Sequence, residues 1–253
     1  MEAGNPLLDD YALSLVAAER PRVCFLPTAS GDADHYIVRF YRAFAAGRCE
    51  PSHVSLFRRD GGTTDVAEHL LRQDVVYVGG GSVISLLGAW RAHGIDLVLR
   101  AAWESGVVMT GLSAGSLCWF SHGVTAFHGE ARTIRGLGLL PWSNAVHYDE
   151  EGRRGAFRDG VATGELPTGY ASCNGAALHF VGTDLARAVS SRETARAYRV
   201  TRADDGLAPV RAADGAQARI GAAGDGRTTA AGIVEDELAC EYLGALPEPA
   251  LVA

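Results

Sequence analysis

The chain has 253 residues, of which 47% are apolar, and it carries a formal net charge of −7. This length fits one large α/β domain, and the apolar fraction is enough for a substantial core. The negative charge, with no run of lysine and arginine interleaved with aromatic residues, argues against a nucleic-acid partner.

The five cysteines are scattered along the chain, with no Cys-x-x-Cys pair. This usage fits a reducing cytoplasm better than a disulfide scaffold, so we expect a cytoplasmic protein. The first ten residues are acidic and lack the basic and apolar regions of a signal peptide. No apolar run is long enough to span a membrane, and we expect no membrane contact.

Strands and helices alternate through the first half of the chain. Short apolar runs predict strands at 22–27, 53–57, 74–78 and 106–110, and helical spacing predicts helices at 34–46, 64–71, 82–92 and 95–104. This alternation predicts an α/β fold, a three-layer sandwich with a mostly parallel central sheet and helices on both faces. Such sheets bind ligands beyond the carboxyl ends of their strands.

A glycine-rich loop, residues 79–82, follows the third predicted strand. It lacks the later Gly-Lys-Ser/Thr of a phosphate-binding loop and the glycine spacing of a dinucleotide fold. A nucleotide site is therefore the weaker interpretation. We interpret the loop as the source of a backbone N–H donor that faces the next loop.

That next loop, residues 111–115, reads Gly-Leu-Ser-Ala-Gly between a predicted strand and residues 116–120, which can open a helix. The pattern Gly-x-Ser-x-Gly in this setting is a nucleophile elbow, in which a strained turn projects the serine hydroxyl away from the backbone. We predict that Ser113 is a nucleophile and that the Ala114 N–H points to the oxyanion. The alternative is an ordinary turn, where glycine and serine are common.

The second half of the chain is less regular. A short strand over 143–148 precedes a charged segment, 149–160, and short β segments follow from 186, most clearly at 197–201 and 238–243. Residues 212–232 predict a mobile hairpin or loop. We predict one domain over 1–253, with a core from about 22 to 243 and a tail over 245–253.

Several segments carry a joint pattern, in order and at consistent spacing: residues 28–32, 79–81, 90, 111–115, 136–141 and 147–149. Together they resemble peptidase E, the α-aspartyl dipeptidase family of serine peptidases. The resemblance runs from about residue 22 to 243. It implies a fold like that of class I glutamine amidotransferases, a Ser–His–acid triad and cleavage after an N-terminal aspartate. A glutamine-amidotransferase-like activity is set aside, because the elbow carries serine in place of cysteine.

The resemblance also implies roles for individual residues. By position, Ser113 matches the nucleophile and His147 the general base, while Gly81 and Ala114 match the oxyanion-hole donors. Arg158 matches the arginine that holds the substrate aspartate's carboxylate. Without the resemblance, His147 would be a partly buried polar residue at a strand end, and Arg158 one of several solvated arginines.

Three positions depart from the family pattern. Ser82 occupies the position of a substrate-binding asparagine in the family, and Asn174 occupies the position of the triad acid. The family also usually has an aspartate after the elbow helix, near the position that is Ala126 here. Replacing the acid by asparagine in a serine protease costs about 10⁴ in kcat, so this sequence predicts a weakened enzyme unless another acid substitutes. The candidate acids are Asp149, Glu150 and Glu165.

We therefore expect a serine hydrolase that cleaves a small amide, either a dipeptide with N-terminal aspartate or a related acidic substrate. The alternatives are a divergent member acting on another amide or ester, and a non-catalytic binding protein that keeps the pocket. We also expect that an acid restored at Asn174 speeds acylation. His122, His128 and His179 show no metal-ligand spacing with a nearby acid, so no metal and no cofactor are expected, and a homodimer is compatible with the sequence.

Overall fold

A computed structural model gives the structure of the protein and describes residues 1–2, 4–58, 65–127, 129–205, 227–230 and 232–245. Within these ranges the helices are α1 (Leu7–Ser14), α2 (Asp34–Ala43), α3 (Val66–Leu71), α4 (Val83–His93), α5 (Ile95–Glu104), α6 (Ala114–Leu117) and α7 (Glu151–Thr163). Short 3₁₀ turns lie at Thr28–Ser30, Ala203–Asp205 and Leu243–Ala245.

The strands in the described part of the chain form three sheets. They are β1 (Arg22–Leu26), β2 (Glu50–His53), β3 (Val75–Val78), β4 (Val108–Gly111), β5 (Phe120–Thr125), β6 (Arg132–Arg135), β7 (Leu140–Val146), β8 (Gly169–Ser172), β9 (Ala176–Val181), β10 (Asp184–Ser190), β11 (Ala197–Arg202), β12 (Arg227–Ala230), β13 (Ile233–Leu238) and β14 (Cys240–Tyr242).

The first sheet has the order β2-β1-β3-β4, and every neighbouring pair in it is parallel. Successive residues of a strand point to opposite faces, so each face needs its own cover. Phe25 stacks on Phe40 of α2 with 4.8 Å between ring centroids. The next residue, Leu26, belongs instead to the apolar cluster that contains Trp90 of α4. Helices therefore cover both faces, and the predicted α/β fold is confirmed.

The second sheet has the order β12-β13-β11-β8-β7-β5-β6, with β5, β7 and β8 parallel and the outer strands antiparallel. Phe157 and Val161 of α7 pack in one apolar cluster with Ala171 of β8. The adjacent residue Tyr170 packs in another cluster with Leu185 of β10. The small sheet β14-β10-β9 therefore covers the face opposite α7.

Two element predictions differ from the structure. The predicted strand 53–57 is wrong, because β2 ends at His53 and Asp32 Oδ2 accepts the N–H groups of Leu56 and Phe57, both at 2.7 Å. The helix after Ser113 is a single turn, α6, because the segment after β6 takes the carbonyls of Cys118, Trp119 and Phe120. The charged segment 149–160, for which the sequence predicts no element, lies mostly in helix α7.

Other predictions fall wholly or partly outside the described residues. The predicted loop 212–232 lies there except for β12 and residue 232, and the tail lies there beyond residue 245, as does His128. The domain boundaries stay a prediction. None of the helices in the described ranges is long and apolar enough to cross a membrane.

Candidate active site

Two neighbouring strands of each large sheet contribute one piece each to a single site beyond their carboxyl ends. The loop of Gly79–Gly81 follows β3, Ser113 lies two residues after β4, His147 directly follows β7, and Asn174 lies two residues after β8. Parallel pairing aligns these strand ends, with Val78 opposite Gly111 in one sheet and Val146 opposite Ser172 in the other. This is the edge where ligands bind in parallel α/β sheets.

Ser113 lies on a strained turn between β4 and α6. Its backbone has φ 53° and ψ −112°, outside the regions that most residues adopt. The turn is tight, because a Cβ at Gly111 would lie 2.4 Å from the Gly115 carbonyl oxygen. Glycine is therefore required at position 111. The turn has the geometry of the predicted nucleophile elbow.

A row of hydrogen bonds joins three of the predicted site residues. Ser113 Oγ is 3.0 Å from His147 Nε2, and His147 Nδ1 is 2.7 Å from Asn174 Oδ1. His147 also has a positive φ of 55°, which is uncommon for a residue other than glycine. The structure thus brings Ser113, His147 and Asn174 together.

The row continues to an acid. The Asn174 side-chain amide donates to Asp149 Oδ2 at 2.7 Å, and the Asn174 backbone N–H donates to Asp149 Oδ1 at 2.9 Å. A carboxylate only accepts, so the Asn174 NH₂ faces Asp149 and its carbonyl faces the imidazole. His147 Nδ1 must then carry a hydrogen, which leaves Nε2 as the acceptor for the Ser113 hydroxyl.

Of the three candidate acids, Asp149 is the one that contacts the row. Glu150 instead accepts from Arg153 Nε at 2.7 Å, and Glu165 accepts from a threonine hydroxyl on β6 at 2.6 Å. Partial desolvation raises the pKa of Asp149, but the hydrogen bonds from Asn174 and the charge of His147 outweigh it. The pKa of Asp149 therefore lies below its ordinary value, and the group is a carboxylate at neutral pH.

The glycine loop after β3 packs directly against the elbow. A Cβ at Gly80 would lie 3.5 Å from the Ser113 Cβ. Gly81 has φ 138°, and a Cβ there would lie 2.1 Å from the Ala29 carbonyl oxygen, so another residue does not fit. Neither the Gly81 N–H nor the Ala114 N–H has a backbone or side-chain acceptor within the described ranges. Two such donors beside a serine can bind an oxyanion.

A cavity of about 700 Å³ opens next to this loop. Ser82 lines this cavity and is buried, and as the N-cap of α4 it accepts from the Ser85 N–H at 3.2 Å. Phe57 and Phe127 also line the cavity, and each is 55% exposed. The described residues that line it carry no charged side chain. The cavity therefore suits a neutral, largely apolar group.

Arg158 lies apart from the hydrogen-bonded row. Its Nε is 3.4 Å from Oε2 of Glu235, a residue whose side chain is only 1% exposed and which also pairs with Arg154. No contact between Arg158 and Ser113 or His147 is present in the structure as described. Its role in binding a substrate carboxylate stays a prediction. Across the described ranges, no group of three or more His, Cys, Asp or Glu side chains could hold a metal ion.

The fold and the site define an α/β protein of the nucleophile-elbow class, with a serine hydroxyl facing an imidazole beyond the ends of parallel strands. The model of peptidase family S51 matches residues 1–188. The chain therefore belongs to peptidase family S51. The predicted resemblance to peptidase E is confirmed at the level of this family.

One relative and one solved structure are similar to this chain. It is 46% identical over 211 residues to the uncharacterized peptidase YgaJ of Bacillus subtilis (strain 168), covering 83% of this chain and 91% of that protein. It is similar to the crystal structure of a peptidase from an acI-B1 actinobacterium, with a TM-score of 0.58 and 18% identity over 77% of this chain and 85% of that chain. At this identity the second likeness concerns the fold alone.

Proposed function

We propose that this peptidase is of the serine type and hydrolyses a small amide through an acyl-enzyme on Ser113. The observation that carries the proposal is the 3.0 Å contact between Ser113 Oγ and His147 Nε2, on an elbow whose backbone strain exposes the hydroxyl. His147 takes the Ser113 proton as Oγ attacks the carbonyl carbon, and then gives that proton to the leaving amine. A water molecule then attacks the acyl carbon while His147 takes its proton. The bond to Ser113 Oγ breaks, Oγ regains the proton from His147, and the carboxylic acid is released.

The developing oxyanion is bound by backbone donors. The Gly81 N–H lies in the loop that packs against the elbow, and the Ala114 N–H directly follows Ser113 in the elbow itself. Because their positions are set by close packing, they need no reorganisation when negative charge develops. Asn174 holds His147 in the required tautomer through its carbonyl oxygen, 2.7 Å from Nδ1.

We propose as substrate a dipeptide with N-terminal aspartate or a related small acidic amide. Arg158 supports an acidic group, because its contact with Glu235 is through Nε and its two terminal nitrogens make no hydrogen bond within the described ranges. An arginine fork binds a carboxylate with two parallel hydrogen bonds. The neutral cavity lined by Ser82, Phe57 and Phe127 suits the apolar part of the same substrate.

A fluorophosphonate probe tests the nucleophile. We expect labelling at Ser113, and Ser113→Ala should abolish both labelling and hydrolysis while the thermal unfolding curve is kept. Ser105→Ala is the matched control, since Ser105 is exposed at the end of α5 and its hydroxyl donates only to the Ala102 carbonyl. Labelling or turnover that survives Ser113→Ala would reject the proposal. An unlabelled wild type that binds dipeptides would support the non-catalytic alternative.

Competition with the probe tests the substrate class. We expect Asp-Phe to slow labelling more than Ala-Phe does, and Arg158→Ala to remove this difference, because the guanidinium no longer meets the aspartate carboxylate. Arg72→Ala is the control, since Arg72 is 70% exposed in an ion pair on α3. Equal competition by the two dipeptides in wild type would show that the site does not recognise the aspartate side chain, and would contradict the proposed substrate class.

A further inference from the structure

We propose that Asp149 is a positioning residue, which locks the Asn174 amide so that a neutral side chain can orient the catalytic imidazole. The working unit is then a row of four residues, Ser113, His147, Asn174 and Asp149. The inference rests on the proposed serine mechanism and extends it to a residue that touches neither the substrate nor the reacting atoms.

The geometry behind the proposal is a two-point contact. Both oxygens of the Asp149 carboxylate accept from the same residue, one from the Asn174 backbone N–H at 2.9 Å and one from its side-chain amide at 2.7 Å. A free asparagine amide can turn over and present NH₂ to the imidazole. Here a turned amide would set its oxygen against a carboxylate and its NH₂ against the His147 Nδ1–H. Both contacts are repulsive, so Asp149 permits one orientation.

The size of the effect follows from exposure. Asp149 and Asn174 are both solvent-exposed residues, so water screens the attraction between the Asp149 charge and an imidazolium. Orientation of the amide therefore contributes more than the charge does. We expect the loss of Asp149 to slow acylation by about tenfold or more, well short of the 10⁴ seen when a triad acid is neutralised.

The contact also reverses the expectation that an acid at position 174 speeds acylation. Asn174→Asp would set two carboxylates at hydrogen-bond distance, where the Asn174 amide now donates to Asp149. Two such carboxylates do not both ionise readily, because the negative charge of one raises the pKa of the other. The carboxyl group with the raised pKa then keeps its proton. The shared proton weakens the acceptor that faces His147, so we expect slower acylation from this single change.

Exchanging the two residues gives the decisive variant. In Asp149→Asn/Asn174→Asp, the carboxylate at 174 accepts from His147 Nδ1, and the amide at 149 donates to that carboxylate while its carbonyl accepts the backbone N–H of residue 174. Every hydrogen bond and the total charge are kept. We therefore expect the exchanged protein to acylate at least as fast as wild type.

The test measures the maximal rate of Ser113 labelling and the probe's apparent affinity for four proteins: wild type, Asp149→Asn, Asn174→Asp and the exchanged double variant. We expect the maximal rate to fall about tenfold or more in each single variant and to return in the double variant, with the apparent affinity unchanged. Rescue by exchange separates positioning from a general structural role, because a damaged fold would not recover when a second substitution is added.

Each outcome decides between the alternatives. A wild type unlabelled at Ser113 overturns the proposed function and this inference with it. A labelled wild type together with an unchanged rate in Asp149→Asn overturns the inference alone. If Asp149→Asn does not fold, the comparison of Asn174→Asp with the double variant still decides, since equal rates in those two proteins would overturn the inference.

Discussion

Ser113 and His147 both have a positive φ, 53° and 55°, although neither is glycine. Residues other than glycine rarely adopt this backbone conformation, and each instance costs on the order of 1–3 kcal/mol. Both residues lie just beyond a strand end, where the chain must leave the sheet and still aim a side chain along its edge. The strained backbone at these two positions coincides with the place where the Ser113 hydroxyl and the His147 imidazole meet at 3.0 Å.

Gly81 gives a prediction at the same scale. A Cβ at this position would lie 2.1 Å from the Ala29 carbonyl oxygen at a φ of 138°, so Gly81→Ala must displace the loop and its N–H. We expect the labelling rate of Ser113 to fall by about 10²-fold or more, which is the usual loss when one oxyanion donor is removed.

Gly155 provides the matched control. It lies within α7, and a Cβ there would meet nothing within 4 Å, so Gly155→Ala should label at the wild-type rate and gain up to about 1 kcal/mol of stability. Equal labelling rates for the two variants would exclude Gly81 as an oxyanion donor. Thermal unfolding of both proteins establishes that any difference is not a loss of fold.

At the scale of elements, the regular parts of the chain could be predicted from local pattern. The helix Ile95–Glu104 matches its prediction, and β1 and β3 match theirs within a residue. The predicted helix at 64–71 is α3, and its N-cap Asp65 accepts the Glu68 N–H at 2.9 Å. Each of these elements is specified by residues close in sequence, which is why periodicity and capping predict them.

Elements that depend on distant partners could not be predicted in the same way. Residues 53–57 read as a strand, but the Asp32 carboxylate takes the N–H groups of Leu56 and Phe57 out of the ladder. The contact between Asn174 and Asp149 depends on the register of β7 against β8, across 25 positions of sequence. The sequence indicates Asp149 only through the motif His-Tyr-Asp at 147–149, which places a carboxylate two residues after the candidate base.

Helix α7 is held to the second sheet by a buried charge. Glu235 of β13 is 1% exposed and pairs with Arg154 and Arg158 of α7, and the Tyr148 hydroxyl donates to it at 3.4 Å. Burial is the largest cause of the raised pKa of Tyr148, and the negative charge of Glu235 raises that pKa further. The hydroxyl therefore stays a donor to the carboxylate at every ordinary pH.

We predict that Glu235→Ala lowers the free energy of unfolding by about 1–3 kcal/mol, because the partly exposed guanidinium groups of Arg154 and Arg158 lose a buried, charged partner. Glu68→Ala is the control, since Glu68 is 55% exposed in an i,i+4 pair with Arg72, and such pairs contribute less than about 1 kcal/mol. Urea unfolding measures both values. Equal losses in the two variants would show that Glu235 does not anchor α7.

At the scale of the whole molecule, buried thiols set the response of stability to alkaline pH. Burial raises the pKa of Cys24 to about 12 from an ordinary value of 9.0, partly offset by a hydrogen bond with Ser52. Burial also raises the pKa of Cys118. Above the ordinary value the unfolded chain loses these protons and the folded chain keeps them. Stability is therefore full below about pH 9 and falls as pH rises toward the folded pKa.

The expected measurement is a series of urea unfolding curves from about pH 7 to about pH 10. The free energy of unfolding should decrease above pH 9, and Cys24→Ala should flatten this decrease while lowering stability at neutral pH through the small cavity it leaves. The slope is the quantity that identifies the thiol. An identical slope in wild type and Cys24→Ala would assign the alkaline loss to other groups.

The four pieces of the site come from four strands, and the partners that must meet lie 34 and 27 positions apart in sequence. Contacts of such long range form late in folding, because the entropy of closing the intervening chain must be overcome first. During refolding from denaturant, helices should therefore return before Ser113 becomes reactive. The time course of labelling then reports when the two large sheets pack together, a step that far-ultraviolet circular dichroism does not detect.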